Sequence, residues 1–193
     1  MGKWIVIGIA GATCSGKTTL AKKLHEKFKN SVLISQDSYF LAKDDPRHVH
    51  IPELNHHNWD ILESLDMEKM HSDILEIMSS GGAGRKENDV QFLIVDGFLL
   101  FNYKPIFDLC DIRYFLELSR EECERRRSRR VYDPPDVPRY FEVVVWPQYA
   151  RYKKEIQEDE ALVKGITFLD GTVNNDQTFQ RILREITQKC QRN

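Results

Sequence analysis

The four cysteines form no motif: Cys14, Cys110, Cys123 and Cys190 are scattered, with no CxxC pair and no even spacing. That excludes a disulfide-stapled scaffold and predicts reduced thiols in an intracellular protein. A long apolar run is also missing. The stretch FLIVDGFLLF at 92–101 is broken by Asp96 and is too short to span a bilayer. The opening MGKWIVIGIAGA leads straight into a glycine-rich motif that cleavage would destroy, so it is not read as a signal peptide. Cytoplasmic residence is the expectation, with a nuclear one also open, and no membrane partner is expected. Charge of one sign is not in excess: 28 Lys and Arg face 30 Asp and Glu, for a net charge of −2. A global attraction to nucleic acid is therefore excluded, and any basic function has to be local. Internal repeats, low-complexity tracts and clear linkers are absent, and 193 residues suffice for one domain with a sizeable core.

What is present is an alternation of buried strands and amphipathic helices. Trp4 to Ile9 is a β-branched, nearly continuous apolar run, as a strand covered on both faces requires. From Thr18 to Phe28 the spacing turns helical, with Leu20, Leu24 and Phe28 on one stripe and lysines opposite. Val32 to Ile34 reads as a second strand, and a polar stretch follows over 41–58. Helical periodicity resumes at Ile61 and Leu65 and continues over Met67 to Met78. Ser79 to Asp89 reads as a surface loop. Phe92 to Val95, Ile112 to Leu118 and Ile166 to Leu169 read as three more strands, and Asp176 to Cys190 as a final helix. The pattern predicts an α/β domain with a parallel sheet, whose ligands gather at the carboxyl ends of the strands.

At the first such end, Gly11-Ala12-Thr13-Cys14-Ser15-Gly16-Lys17-Thr18 matches G-x-x-x-x-G-K-[ST] at every fixed position. A buried strand precedes it and a helix follows, which is the context this motif needs. Glycines let backbone N–H groups turn around phosphate oxygens, and the helix adds its N-terminal dipole. Lys17 is placed for the β- and γ-phosphates and Thr18 for Mg²⁺. This predicts nucleoside triphosphate binding without separating a kinase from a GTPase, a motor or a switch.

Asp37 stands just beyond the second strand, where a carboxylate can accept the proton of an attacking hydroxyl and touch the metal. Asp96 ends the third strand, the position of a carboxylate that holds the magnesium shell, and Gly97 lets the chain turn away. Ser119-Arg120-Glu121-Glu122 reads as a capping box that starts a helix carrying Cys123 to about Arg130. Arginine fills five of the six positions from Arg125 to Arg130, and Asp133-Pro134-Pro135 then breaks the helix. Cations suit a helix C-terminus, so a solvated helix end is one reading. However, successive helical residues point about 100° apart. Arg126 and Arg127 are therefore placed to face two different ligands, and arginine suits bidentate phosphate contacts.

In order, the strings GATCSGKTT, ISQDSYF, IVDGFLLFNYKP, RRRSRRVYDPPD and VWPQYARY resemble the nicotinamide riboside kinases, small members of the uridine-kinase-like P-loop kinases. The resemblance covers nearly the whole chain. The phosphate loop is common to many proteins, whereas FLLFNYKP, RVYxPPD and VWPxY are far more specific. The resemblance implies a P-loop kinase fold: a five-stranded parallel sheet flanked by helices, in a single domain over 1–193 with a small lid at about 124–140. It implies ATP and Mg²⁺, and transfer of the γ-phosphate to the ribose 5′-hydroxyl of nicotinamide riboside, with nicotinic acid riboside also open. The product is the mononucleotide for NAD synthesis.

Residue by residue, the resemblance implies that Asp37 is the general base, with Thr18 and Asp96 beside it at the metal. ATP would lie against residues Gly11 to Thr19 (including Ala12, Thr13, Cys14, Ser15, Gly16 and Lys17), Arg126, Arg130 and the Thr172-Val173-Asn174 turn. The riboside would lie against Asp37, Ser38, Tyr39, Phe40, Asp60, Arg127, Asp133 and Asp136. Trp59 and Tyr132 would sandwich the cationic nicotinamide ring, each aromatic face adding roughly 0.5–2 kcal/mol. Trp59 and Asp96 depart from the pattern, which leads one to expect Tyr and Glu there. The 41–58 stretch fits least well. Its histidines His48, His50, His56 and His57 lack an accompanying Cys and a regular spacing, so it reads as a substrate-covering segment rather than a zinc site. The competing readings are a uridine or cytidine kinase, a nucleotide-dependent switch, and an RNA-binding module using the Arg cluster. Acidic residues on both sides of that cluster argue against RNA. The partners expected are small molecules and no nucleic acid, with monomer and homodimer both open.

Overall fold

The computed structural model describes residues 3–80 and 90–192. Strand β1 (Trp4–Gly11) leads through the phosphate loop into helix α1 (Lys17–Lys27), followed by β2 (Ser31–Ser35). A hairpin of two-residue strands, β3 (His50–Ile51) and β4 (His56–His57), precedes α2 (Met67–Ser80) and β5 (Gln91–Asp96). Then come α3 (Lys104–Leu109), β6 (Ile112–Glu117), α4 (Arg120–Arg127), α5 (Trp146–Glu158), α6 (Glu160–Lys164), β7 (Thr167–Asp170) and α7 (Asn175–Arg192). The main sheet has five strands in the order β2-β5-β1-β6-β7, and every pairing is parallel.

Side chains alternate across a strand, so the run Ile5-Val6-Ile7-Gly8-Ile9-Ala10 serves two cores. Val6 and Ala10 pack with Met70, Ile74, Phe101 and Ile156 on one face. Ile5, Ile7 and Ile9 pack with Leu20, Leu24, Ile182 and Ile186 on the other. Because helices cover both faces, the central strand carries no polar side chain. In-register pairing of Ser35 and Ile9 with Asp96 brings the ends of β2, β1 and β5 level. That alignment is what gathers the phosphate loop, Asp37 and Asp96 on one edge. Among the described residues no helix is long and apolar enough to cross a membrane.

Several boundaries differ from the expectations. Ile61 and Leu65 are buried, but residues 62–64 form a short 3₁₀ turn rather than helix. Asp66 is the reason: its side chain accepts the Lys69 backbone N–H at 3.0 Å, so the helix starts afresh at Met67. Ser79 and Ser80 extend α2 instead of opening a loop, their hydroxyls donating to the Glu76 and Ile77 carbonyls. The rest of that expected loop, 81–89, lies outside the described residues. Ser119 caps α4 as expected, accepting from the Glu122 N–H at 3.3 Å. The Glu122 carboxylate takes Arg125 and Arg126 instead of the cap, because a guanidinium is the stronger donor. Helix α4 also stops at Arg127 rather than near Arg130. Ser128 is its C-cap, and Arg129 and Arg130 follow in tight i→i+3 turns.

Candidate active site

The phosphate loop is shaped by its backbone. Gly11 has φ +129°, and a Cβ there would lie 2.1 Å from the Leu116 carbonyl oxygen. Gly16, at φ +95°, opens α1 from a left-handed position. Both are conformations in which a side chain is strained. Cys14 sits between them with φ 60°. Lys17 is buried and donates from Nζ to the Ala12 carbonyl at 2.6 Å. Burial lowers its pKa, and the carboxylates of Asp37 and Asp96 oppose that shift.

Thr18 donates from Oγ1 to Asp96 Oδ2 at 2.6 Å. The other oxygen, Asp96 Oδ1, is buried with no hydrogen-bond partner among the described residues. Asp37 is the second residue of the 3₁₀ turn after β2 (Gln36–Tyr39) and is exposed. Protein atoms still strip water from one side of the carboxyl and raise its pKa. Lys17 opposes that rise and Asp96 adds to it. Thr18, Asp37 and Asp96 thus offer two carboxylates and a hydroxyl at one end of a cleft of about 490 Å³.

The Tyr132 hydroxyl lies 3.4 Å from both Thr13 Oγ1 and Cys14 Sγ in the phosphate loop, and the rest of the same cleft is built from side chains. Phe40, Trp59, Asp60, Arg127, Tyr132, Asp133, Asp136 and Tyr140 line it. Arg127, 8% exposed, forks onto Asp136 through Nε at 2.6 Å and Nη2 at 2.9 Å. Its Nη1 donates to Thr13 Oγ1 at 3.2 Å, and its guanidinium lies 4.2 Å from the Tyr132 ring centre. Burial works against this charge, but Asp136 and Asp60 outweigh it and raise the pKa. Burial raises the Asp60 pKa as well, with Arg127 and the Tyr140 hydroxyl opposing. Asp133 ties the segment after α4 to the 41–58 segment through Lys43 at 2.6 Å, an exposed pair of little energetic weight.

Arg126 looks elsewhere. Its Nη1 donates to the Cys14 carbonyl at 3.2 Å and the Gly171 carbonyl at 3.0 Å, bridging the phosphate loop and the turn after β7. Arg130 approaches Cys14 Sγ at 3.9 Å. The Thr172-Val173-Asn174 turn lies beside the loop, where Asn175 donates to the Gly16 carbonyl at 3.3 Å. Ser38 and Tyr39 do not line the cleft. Tyr39 turns its hydroxyl to Asp73 on α2 at 3.0 Å, and burial with that contact pushes its pKa up to about 12.

Sequence reasoning missed two residues that set up the site. Tyr140 accepts the Trp59 backbone N–H at 2.8 Å and donates to Asp60 Oδ2 at 3.1 Å. Gln36 is fully buried, and its Oε1 accepts the N–H groups of Phe98 and Leu99 at 2.9 and 3.0 Å. It thereby shapes the turn that follows Asp96. Only the position of Gln36 next to Asp37 hinted at such a role, and for Tyr140 no local pattern did.

Parallel strand order, flanking helices and the phosphate loop together define a phosphate-loop kinase fold. A family model described as an AAA domain matches residues 7–147. The structure is similar to that of a possible uridine kinase from Bacillus stearothermophilus, with a TM-score of 0.56 and 16% identity over 88% of this chain and 90% of that one. Nicotinamide riboside kinase 1 of Rattus norvegicus is 41% identical, over 98% of this chain and 97% of that protein. Nicotinamide riboside kinase 2 of Mus musculus is 37% identical, over 94% and 95%. The chain belongs to the nicotinamide riboside kinase family.

Proposed function

We propose that the protein transfers the γ-phosphate of ATP to the ribose 5′-hydroxyl of nicotinamide riboside, forming the mononucleotide for NAD synthesis. The observation that carries this reading is one cleft with two unlike ends. A phosphate loop with Lys17, Thr18, Asp37 and Asp96 faces an aromatic and acidic wall of Trp59, Asp60, Tyr132 and Asp136. A cationic pyridinium suits the Trp59 face and the Asp60 carboxylate, since both attract positive charge, while Arg127 already pairs with Asp136 and lies over the Tyr132 ring.

In this reading Asp37 accepts the hydroxyl proton, and its raised pKa makes it the stronger base. Lys17 and the loop N–H groups from Gly11 to Thr19 hold the phosphates. Arg126 and Arg130 neutralise the transferring group from the lid, and Thr172, Val173 and Asn174 border the adenine. Asp60 and Arg127 hold the ribose hydroxyls, with Phe40, Asp133 and Asp136 completing the wall. Mg²⁺ fits the Thr18, Asp37 and Asp96 oxygens, and the buried, unpartnered Asp96 Oδ1 has the chemistry of a ligand awaiting a hard cation or its water. When bound, Mg²⁺ would neutralise the charge that develops on the phosphates.

The test is ADP release with ATP and Mg²⁺ against nicotinamide riboside, nicotinic acid riboside, uridine and cytidine. Nicotinamide riboside is expected to give the highest kcat/KM. A strong preference for uridine would reassign the chain to the pyrimidine nucleosides, and ADP release without any acceptor would make it a hydrolytic switch.

A further inference from the structure

The kinase reading leaves the histidines of the 41–58 segment without a role, yet the structure packs two of them, His48 and His57, against the Trp59 ring that would face the substrate. Trp59 has a fixed backbone: its N–H donates to the Tyr140 hydroxyl at 2.8 Å and its carbonyl accepts from Ser64 Oγ at 3.0 Å. Its ring has no such tie. The buried indole Nε1 has no hydrogen-bond partner among the described residues. Packing alone therefore sets the rotamer. Phe40 meets the ring edge-on with centroids 5.9 Å apart. His48 is nearer, at 4.3 Å and a 56° tilt.

His48 is itself pinned from two sides. Its Nε2 lies 2.8 Å from the Ala42 carbonyl, and because a carbonyl only accepts, that nitrogen carries the hydrogen. Its ring stacks on His57 of β4 at 5.0 Å and 25°. His57 is held in turn by the pairing of β4 with β3. The hairpin reaches Trp59 through His48 and also directly, His57 meeting the ring edge-on with centroids 6.2 Å apart, but His48 is the nearer ring and lies outside the cleft lining while Trp59 lies on it.

We propose that His48 is a positioning residue: it clamps the Trp59 ring in the orientation that receives the acceptor's base, and so sets affinity for the riboside and not for ATP. This rests on the kinase reading above. A flexible indole would have to be ordered when substrate binds, and a wall ordered in advance avoids that cost. The ring face of His48, rather than its charge, does the clamping.

The experiment is initial-rate kinetics on the full chain, varying nicotinamide riboside at saturating ATP and ATP at saturating riboside. His48→Ala is expected to raise the riboside KM about threefold while kcat and the ATP KM stay within about 1.5-fold, a split that a general loss of fold would not give. His48→Phe, which keeps a flat ring, should restore most of the riboside affinity. Should the Ala variant unfold, His48→Gln keeps an N–H for Ala42 while deleting the ring face, and should raise the riboside KM to the same degree. In a Trp59→Ala background, His48→Ala should add no further rise.

An unmoved riboside KM in a folded His48→Ala or His48→Gln variant would overturn the proposal. So would kcat or the ATP KM changing as much as the riboside KM, or a full threefold rise persisting without Trp59. Failure of the parent reading is separate: the wild type itself would then not turn over nicotinamide riboside, and this inference would fall with it.

Discussion

The two ends of the cleft are made in different ways. The nucleotide end is organised around one contiguous stretch, residues 11–19, in which backbone conformation does most of the shaping. The acceptor end is assembled from Phe40, Trp59, Asp60, Arg127, Tyr132, Asp133, Asp136 and Tyr140, far apart in the sequence, and is held by side-chain ties. Arg127 forks onto Asp136, Tyr140 bonds Trp59 and Asp60, and Lys43 meets Asp133. An anion needs only N–H groups and a dipole, which any side-chain set supplies if the backbone turns correctly. A riboside has to be distinguished from similar ribosides, and only placed side chains do that. Damage to the first end should therefore cost fold or turnover, and damage to the second should cost recognition.

The largest effect tests the junction between the ends. Asp37→Asn is expected to lower kcat by about 10²–10⁴-fold while ATP binding, measured by calorimetry, persists. The carboxyl pKa is raised by loss of water on its protein-facing side, with Asp96 adding and Lys17 opposing. A base with a raised pKa becomes protonated sooner as the pH falls, so kcat/KM, which reports the free enzyme, should decline on the acid side at a pH above the ordinary carboxylate range. The Asn variant should lack that limb in a pH–rate profile. Near-normal turnover in Asp37→Asn would remove the base from the mechanism.

Gly11→Ala is the sharpest probe of the backbone-shaped end. At φ +129° the new Cβ would meet the Leu116 carbonyl oxygen, carbon and nitrogen at 2.1, 2.8 and 2.6 Å. These are backbone atoms in the neighbouring strand β6, which pairs with β1, and they have no room to yield. A stability loss of roughly 3 kcal/mol or more is expected in urea denaturation.

How much of each end was legible in the sequence follows the same division. The strands declare themselves because both faces are buried, and the phosphate loop because its glycines must stand at fixed spacing. Ser119 and the helix it caps are local chemistry as well. The acceptor end is not local. The hydroxyl of Tyr140 reaches back to Trp59 and Asp60 across 80 residues or more, and no pattern around Tyr140 signals it. The hairpin at His50–His57 was hidden because its strands are two residues long and polar. Tyr39 is assigned to the substrate only through the family resemblance, and the 3₁₀ turn sends it to Asp73 instead. The end of α4 was overshot because the arginines continue past Ser128 although the helix does not.

Arg126 and Arg127 set the two ends side by side on one helix. Arg127→Ala should mainly raise the riboside KM, because its neighbours are Asp136, Tyr132 and Thr13. It should also cost about 2 kcal/mol of stability, less than a fully buried pair because the Asp136 side chain is 29% exposed. Arg126→Ala should instead raise the ATP KM and lower kcat, since it spans the Cys14 and Gly171 carbonyls. Identical kinetic defects in the two variants would erase the division between the ends.

The smallest effect tests whether recognition at the acceptor end can be removed alone. Trp59→Ala deletes one aromatic face and is expected to weaken nicotinamide riboside binding by about 1 kcal/mol, about fivefold in Kd. The backbone of residue 59 keeps its ties to Tyr140 and Ser64, so the fold should hold and the ATP Kd should not move. Trp59→Tyr keeps a π face and should recover most of the loss. The decisive comparison is with a riboside whose base carries no net positive charge. If the ring acts through its electrostatic face, that ligand should lose less affinity than the cation does. Equal losses for both ligands in calorimetry would mean that Trp59 contributes apolar area only.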